Sequence, residues 1–196
     1  MKNENNANIV DNMMRLAAVY HQDQYREGND SASGRKSPYI LHLMEVTNLL
    51  RSWGYTEQDD PEVLAIGWGH DLLEDTDIGE ARIEQAAGPR VLSAIKALTF
   101  KPPKGISDEE FDRLKAEYVS GIVQLAPAEV LAVKMADRIC NVRNRLETVS
   151  DSKRTEKARR NFEKAKDLFD LADRLPFAEQ VKKTIATIRQ AVCRTE

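Results

Sequence analysis

Apolar residues recur at helical spacing along most of the chain. From Ile9 to Arg26 the positions Ile9, Met13, Leu16, Ala17 and Tyr20 form one stripe, which predicts an amphipathic helix. The polar residues ahead of it, 1–8, are expected to fray. EGNDSASGRKSP is rich in Gly, Ser, Asn and Asp and ends in proline, so it reads as a loop. Ser37-Pro38 then starts a helix over YILHLMEVTNLLRSWG, with Gly54 as its C-terminal stop. Asp60-Pro61 starts another over PEVLAIGWGHDLLEDT, where Val63, Leu64, Ala65, Ile66, Trp68, Leu72 and Leu73 go nearly all the way round the wheel. A helix apolar on every side is a buried one. Further helices are expected over 79–99, 107–122, 127–146, 152–174 and 177–193, punctuated by Pro102-Pro103, Pro127 and Pro176. No alternating β-branched run is long enough to argue for a sheet. The fold expectation is an all-α globule of seven or more helices.

Composition narrows the classes without choosing among them. At 196 residues, with 41% hydrophobic and 31% charged positions, the chain can bury a core. A net charge of −3 gives no reason to expect nucleic acid or a membrane surface as partner. Two cysteines, Cys140 and Cys193, make neither a disulfide framework nor a CxxC knuckle. MKNENNAN lacks the pattern of a signal peptide, and no apolar run reaches the roughly 18 residues of a membrane helix. A cytoplasmic protein is expected.

The chemistry enters on the buried helix. His70, Asp71, Glu74 and Asp75 follow one another at i, i+1, i+4 and i+5, which spreads them over a wedge of roughly 140°. Such groups on an apolar helix are costly unless paired, hydrogen-bonded or metal-bound. Gly67, one turn below, leaves room for something to approach. The plainer alternative is an exposed helix end, but acidic residues there oppose the helix dipole. His42 lies among Ile40, Leu43 and Val46 and reads by pattern as a core histidine, while His21 falls on the polar side of the first helix as a surface or structural group. In LAVKMADRICNVRNRL an apolar stripe (Leu131, Met135, Ile139, Val142, Leu146) opposes Lys134, Asp137, Arg138, Asn141 and Arg145. By pattern alone that polar side reads first as a solvated face, yet Asp137 and Asn141, stacked at i, i+4 amid three cations, also suit a metal ligand beside a phosphate-binding surface.

Taken together, HQDQYR, SPYILH, GHDLLEDT, AAGPRV, ALTF and KMADRICNVRN resemble the HD superfamily of metal-dependent phosphohydrolases. They are most similar to the hydrolase domain of the RelA/SpoT homologues and its stand-alone form, the small alarmone hydrolases. The matches run from residue 16 to about 145. The resemblance implies one HD phosphohydrolase domain, taken over 1–196. Beyond the matched segments, the charge clusters of the helices in 150–196, such as KARRNFEKAKD, read as solvated faces of helices packing on its core or forming a homodimer surface rather than as a nucleic-acid site. It implies His42, His70, Asp71 and Asp137 as ligands of one divalent ion, manganese by preference. Glu74 and Asp75 would position and deprotonate water, and Arg26 would contact the nucleotide base. Tyr39, Lys134, Arg138 and Asn141 would line the nucleotide and phosphate side. The implied reaction is removal of the 3′-pyrophosphate of a guanosine or adenosine 3′,5′-polyphosphate.

The sequence departs from the family pattern on the base-recognition side. Leu43 follows His42 in place of proline, Cys140 replaces a histidine, and Glu27 replaces a basic residue. The loop is lengthened by NDSASG and ends in Arg35-Lys36, which can supply the missing charge to a substrate. The alternatives are another HD-type nucleotide phosphohydrolase, acting on a 5′-monophosphate, a cyclic ester or a dinucleotide cofactor, and a non-catalytic nucleotide sensor.

Overall fold

The computed structural model describes residues 3–29, 36–147 and 152–193. In chain order the elements are α1 (Asn3–Tyr20), β1 (Tyr25–Asn29), β2 (Lys36–Pro38), α2 (Ile40–Trp53), α3 (Pro61–Gly69), α4 (Leu72–Asp75), α5 (Glu80–Leu98), α6 (Asp108–Leu125), α7 (Ala128–Glu147), α8 (Ser152–Glu163), α9 (Lys166–Phe169), a 3-10 turn (Ala172–Arg174) and α10 (Ala178–Cys193). The all-α expectation holds, and no helix among the described residues is long and apolar enough to cross a membrane.

α3 is the central strut. It packs against α1, α2, α5 and α7, which accounts for its apolar wheel: Val63, Leu64, Ala65, Ile66, Gly67, Trp68 and Gly69 are all buried. Two of these positions need glycine for close approach. A Cβ on Gly67 would lie 2.9 Å from Leu50 Cδ1 and 3.1 Å from Thr47 Oγ1; on Gly69 it would run into Met13 Cε and lie 2.8 Å from Ile95 Cδ1. Gly67 therefore seats α3 against α2. It does not open space for a ligand, as the sequence had suggested.

Several boundaries differ from the sequence expectations. α1 begins at Asn3 and ends at Tyr20, short of Arg26, because the chain turns there with Gln24 N–H bonded to the His21 carbonyl. The last residues of the expected helix and both ends of the expected loop form a short antiparallel ribbon, with Tyr25 opposite Pro38 and Asn29 opposite Lys36. Such a pairing is made by backbone and is too short for side-chain alternation to announce it. Arg35 and most of NDSASG lie outside the described residues. α5 is kinked where Gly88 takes φ +87° before Pro89, a positive φ that favours glycine. The expected helix 152–174 divides into α8, α9 and the 3-10 turn. The Gly54 stop is as expected: φ is +129°, and Phe177 leaves no room for a Cβ.

α10 is tied back to the core at α2, α7 and α8. Trp53 Nε1 donates to Thr184 Oγ1 at 3.0 Å, and Tyr55 meets Phe177 edge-on at 4.8 Å. Arg174 caps the end of α6 by donating to the carbonyls of Val123 and Ala126, at 3.0 and 2.9 Å.

Candidate active site

α3 does not run on through GHDLLEDT. It ends at Gly69; His70 and Asp71 form the link, and α4 is a separate single turn. The wedge expected from one continuous helix is replaced by two groups of side chains. His70 is buried at the end of α3, and Asp71 is half-buried beside it. Glu74 and Asp75 stand on the following turn, nearer solvent.

His42 from α2 and Asp137 from α7 are both buried, and they converge on this link. His42 Nε2 lies 3.3 Å from Asp137 Oδ1 and 3.7 Å from Asp71 Oδ2. His70 Nε2 lies 3.1 Å from Asp71 Oδ2 and 4.0 Å from Asp137 Oδ1. Bonds of about 2.1 Å from four such atoms to one ion give ligand separations of roughly 3.0–4.2 Å. The residues therefore fit a divalent cation. His42, His70 and Asp137 also group as a buried ligand set with donor atoms within 4.8 Å of one another. The His70 tautomer suits the same role. Its Nδ1 is 2.9 Å from the Gly67 carbonyl, which only accepts, so the hydrogen sits on Nδ1 and Nε2 keeps its lone pair. His70 Nε2 has no hydrogen-bond partner among the described residues.

Without a cation, protons hold this cluster together. Burial pulls His70 down, but Asp71 and Asp137 outweigh it and push the imidazole up to about 9. Burial raises both aspartates, yet His70 beside Asp71, and His42 with Lys134 beside Asp137, hold them below the usual carboxylate range. Lys134 Nζ approaches Asp137 Oδ2 to 3.7 Å and Arg138 Nε to 4.0 Å, so the centre has a cationic flank. Asp137 is 6% exposed, which removes the solvated-face reading of its helix.

α4 is too short to position itself and hangs from two sides. On one side Glu74 Oε2 accepts the Phe100 N–H at 2.9 Å, and Lys101 Nζ donates to the Leu73 carbonyl at 3.1 Å. Tyr118 from α6 supports that segment: its hydroxyl donates to the Leu98 carbonyl and its ring lies against Phe100 and under Lys134 Nζ. On the other side Tyr39 donates to Asp71 Oδ2 at 2.6 Å and to Asp75 Oδ2 at 3.0 Å, and Gln24 Nε2 donates to the Asp75 carbonyl at 2.7 Å. Burial raises Glu74, against the Phe100 N–H and Lys134; burial and then Asp71 raise Asp75. Tyr39 is raised by burial and by Asp71, so its hydroxyl stays protonated and donating.

The remaining expected residues divide. Arg26 Nη2 donates to Asn141 Oδ1 at 2.6 Å, and Asn141 donates to Asp137, which links the ribbon to the buried cluster. Lys36 stands exposed on β2, with no ion pair to the cluster among the described residues. Arg35 lies outside them. Sequence reasoning missed Gln24, Phe100 and Tyr118, and it misplaced His21. That residue is buried, stacked on Tyr39 at 4.9 Å and 17°, because the end of α1 turns it inward. The available signals were the scarcity of histidines (three in the chain) and the place of His21 in HQDQYR, whose histidine and arginine carry part of the resemblance.

The profile of the family described as "HD domain" matches residues 14–178. A Synechocystis protein named a probable guanosine-3′,5′-bis(diphosphate) 3′-pyrophosphohydrolase is 35% identical over 150 residues, 72% of this chain and 18% of the relative. A Streptomyces coelicolor protein named a GTP pyrophosphokinase is 28% identical over 162 residues, 79% of this chain and 16% of that one. The chain thus spans under a fifth of the length of these two relatives. A Drosophila melanogaster guanosine-3′,5′-bis(diphosphate) 3′-pyrophosphohydrolase is 26% identical over 131 residues, 67% of this chain and 66% of its own. The same architecture occurs in a solved structure of a metazoan SpoT orthologue described as hydrolysing ppGpp. Its TM-score is 0.71 at 22% identity, over 93% of this chain and 94% of that one.

Proposed function

The chain belongs to the HD-domain family, and from that premise we propose that it is a cytoplasmic, manganese-dependent hydrolase of a guanosine or adenosine 3′,5′-polyphosphate, releasing the 3′ group as pyrophosphate. One observation carries the reading: a four-residue cluster spaced for a divalent cation, His42, His70, Asp71 and Asp137, has a carboxylate turn mounted beside it. The names of the Synechocystis and Drosophila relatives supply the substrate class.

Two imidazoles and two carboxylates suit a borderline-to-hard ion that retains open positions for oxygen ligands. When bound, that ion supplies Lewis-acid polarisation of the phosphoryl oxygen and acidification of a water molecule. The rest of the work falls to the side chains. Glu74 and Asp75, ionised, orient the attacking water and accept its proton. The water oxygen bonds to the phosphorus carried on the 3′ oxygen. The bond from phosphorus to that oxygen breaks, pyrophosphate leaves, and the freed 3′ oxygen takes up the proton that the carboxylates accepted from water, becoming the 3′ hydroxyl. Lys134 and Arg138 face the charge that develops on the phosphoryl oxygens. Arg26, held by Asn141, stands where the ribbon meets the cluster and contacts the base.

The test is a panel of guanosine and adenosine 3′,5′-polyphosphates, 5′-monophosphates, cyclic nucleotides and dinucleotide cofactors. Each is incubated with the protein and manganese, and the products are resolved by chromatography. Pyrophosphate together with the nucleoside 5′-phosphate is the expected outcome. Orthophosphate as the sole phosphorus product, or no turnover with either base, overturns the assignment.

A further inference from the structure

Asp75 closes a helix of four residues, and such a turn has no ladder of its own to fix its last carbonyl. Gln24, from the turn after α1, provides the fixing. Its Nε2 donates to the Asp75 carbonyl at 2.7 Å. A carbonyl only accepts, so this contact decides which way round the Gln24 amide sits and turns Oε1 toward His21 Nδ1, 2.7 Å away. An amide oxygen also only accepts, which places a hydrogen on His21 Nδ1. The main chain of Gln24 takes part as well, since its carbonyl accepts the Tyr39 N–H at 2.9 Å. The His21 ring then lies flat against the Tyr39 ring, and the Tyr39 hydroxyl spans Asp71 and Asp75. Two residues from one turn thus hold Asp75 twice, once by its backbone and once through Tyr39. His21 is buried with Nε2 unpartnered among the described residues, an arrangement that core packing alone does not call for.

We propose that His21 and Gln24 are positioning residues, which set Asp75 and the Tyr39 hydroxyl for attack by water. The inference rests on the hydrolase reading above. Neither residue touches the reacting atoms. Their effect is on the fraction of molecules in which Asp75 is aimed, and so on kcat rather than on substrate affinity or metal content.

The experiment compares wild-type protein with Gln24→Glu, His21→Phe, His21→Asn and His21→Ala on the nucleotide that wild type turns over. Metal content and melting temperature are measured on the same samples. Gln24→Glu keeps the shape of the side chain but cannot donate to the Asp75 carbonyl. It is expected to lower kcat tenfold or more, with KM within twofold and metal content unchanged. His21→Phe keeps the stacked ring and His21→Asn keeps a donor near the Nδ1 position. Each should retain at least threefold more kcat than His21→Ala. A Gln24→Glu kcat within twofold of wild type overturns the proposal, as does a loss of kcat that tracks lost metal and lowered melting temperature. A 15N-resolved imidazole spectrum gives a readout free of activity. It should find the His21 hydrogen on Nδ1, and a neutral ring protonated on Nε2 overturns the arrangement. A wild type inert on every nucleotide overturns the hydrolase reading and this inference with it; an active wild type indifferent to these changes overturns the inference alone.

Discussion

Glu74 and Asp75 are neighbours on one turn yet answer to different parts of the molecule, Glu74 to the Phe100 segment and Asp75 to Tyr39 and Gln24. Neither is drawn into the His42–His70–Asp137 set, so removing their charge should spare the metal. Glu74→Gln and Asp75→Asn are each expected to lower kcat by about 100-fold or more, the usual range for a lost general base, with metal stoichiometry unchanged on elemental analysis. Loss of metal in either variant would reassign that residue as a ligand. The residue scale was also where the sequence was most legible. Paired acids beside a histidine on an apolar helix cannot be explained by packing, and they stood out on that ground. His21 was illegible because its burial depends on where α1 stops. A wheel drawn through Arg26 put it on the wrong side.

At the scale of elements, the seam between α2 and α3 carries the site, because His42 comes from one helix and His70 from the end of the other. Gly67 sets how closely they meet. Gly67→Ala would drive a methyl group to 2.9 Å from Leu50 Cδ1, and the seam must open or Leu50 must leave its rotamer. Overpacking of this kind costs about 1–3 kcal/mol, which a lowered denaturation midpoint would register. Because the seam carries His42, metal affinity should fall in the same variant. An unchanged midpoint with unchanged affinity would mean that the seam yields freely. The sequence announced both helices through their apolar wheels and the Gly54 stop. It did not announce the break at His70-Asp71, where apolar periodicity continues across the link and no proline marks it. Nor did it announce the ribbon, whose few pairs are made by main-chain atoms.

For the whole molecule, the buried cluster couples stability to pH. His70 is raised from its ordinary 6.5 to about 9 in the folded, metal-free protein. The stability it contributes is therefore complete below about pH 6.5 and is lost as pH rises through 9. Asp71 and Asp137, held low, act at the other end; their contribution is present above the ordinary aspartate range and is lost as pH falls through their folded values. Melting temperatures of metal-free protein should decline from pH 6.5 toward 9.5. A cation takes the place of the proton on His70, so manganese should stabilise the fold and flatten that decline. At 100 times Kd a bound ion adds about 2.7 kcal/mol, several degrees in the melting temperature of a protein this size. Parallel curves with and without manganese would show that the cluster does not take up the ion.

The hydrogen on His70 Nδ1 is directed by the carbonyl of Gly67, a main-chain atom. An acceptor drawn from a side chain would vanish with a single codon change, whereas every amino acid brings a carbonyl. The orientation of this imidazole is thus sheltered from substitution at its own support and can fail only if the end of the helix moves. Inheritance of the ligand set is in that respect inheritance of a helix ending, and position 67 is answerable to Leu50 and Thr47 for its size and to His70 for nothing but its place.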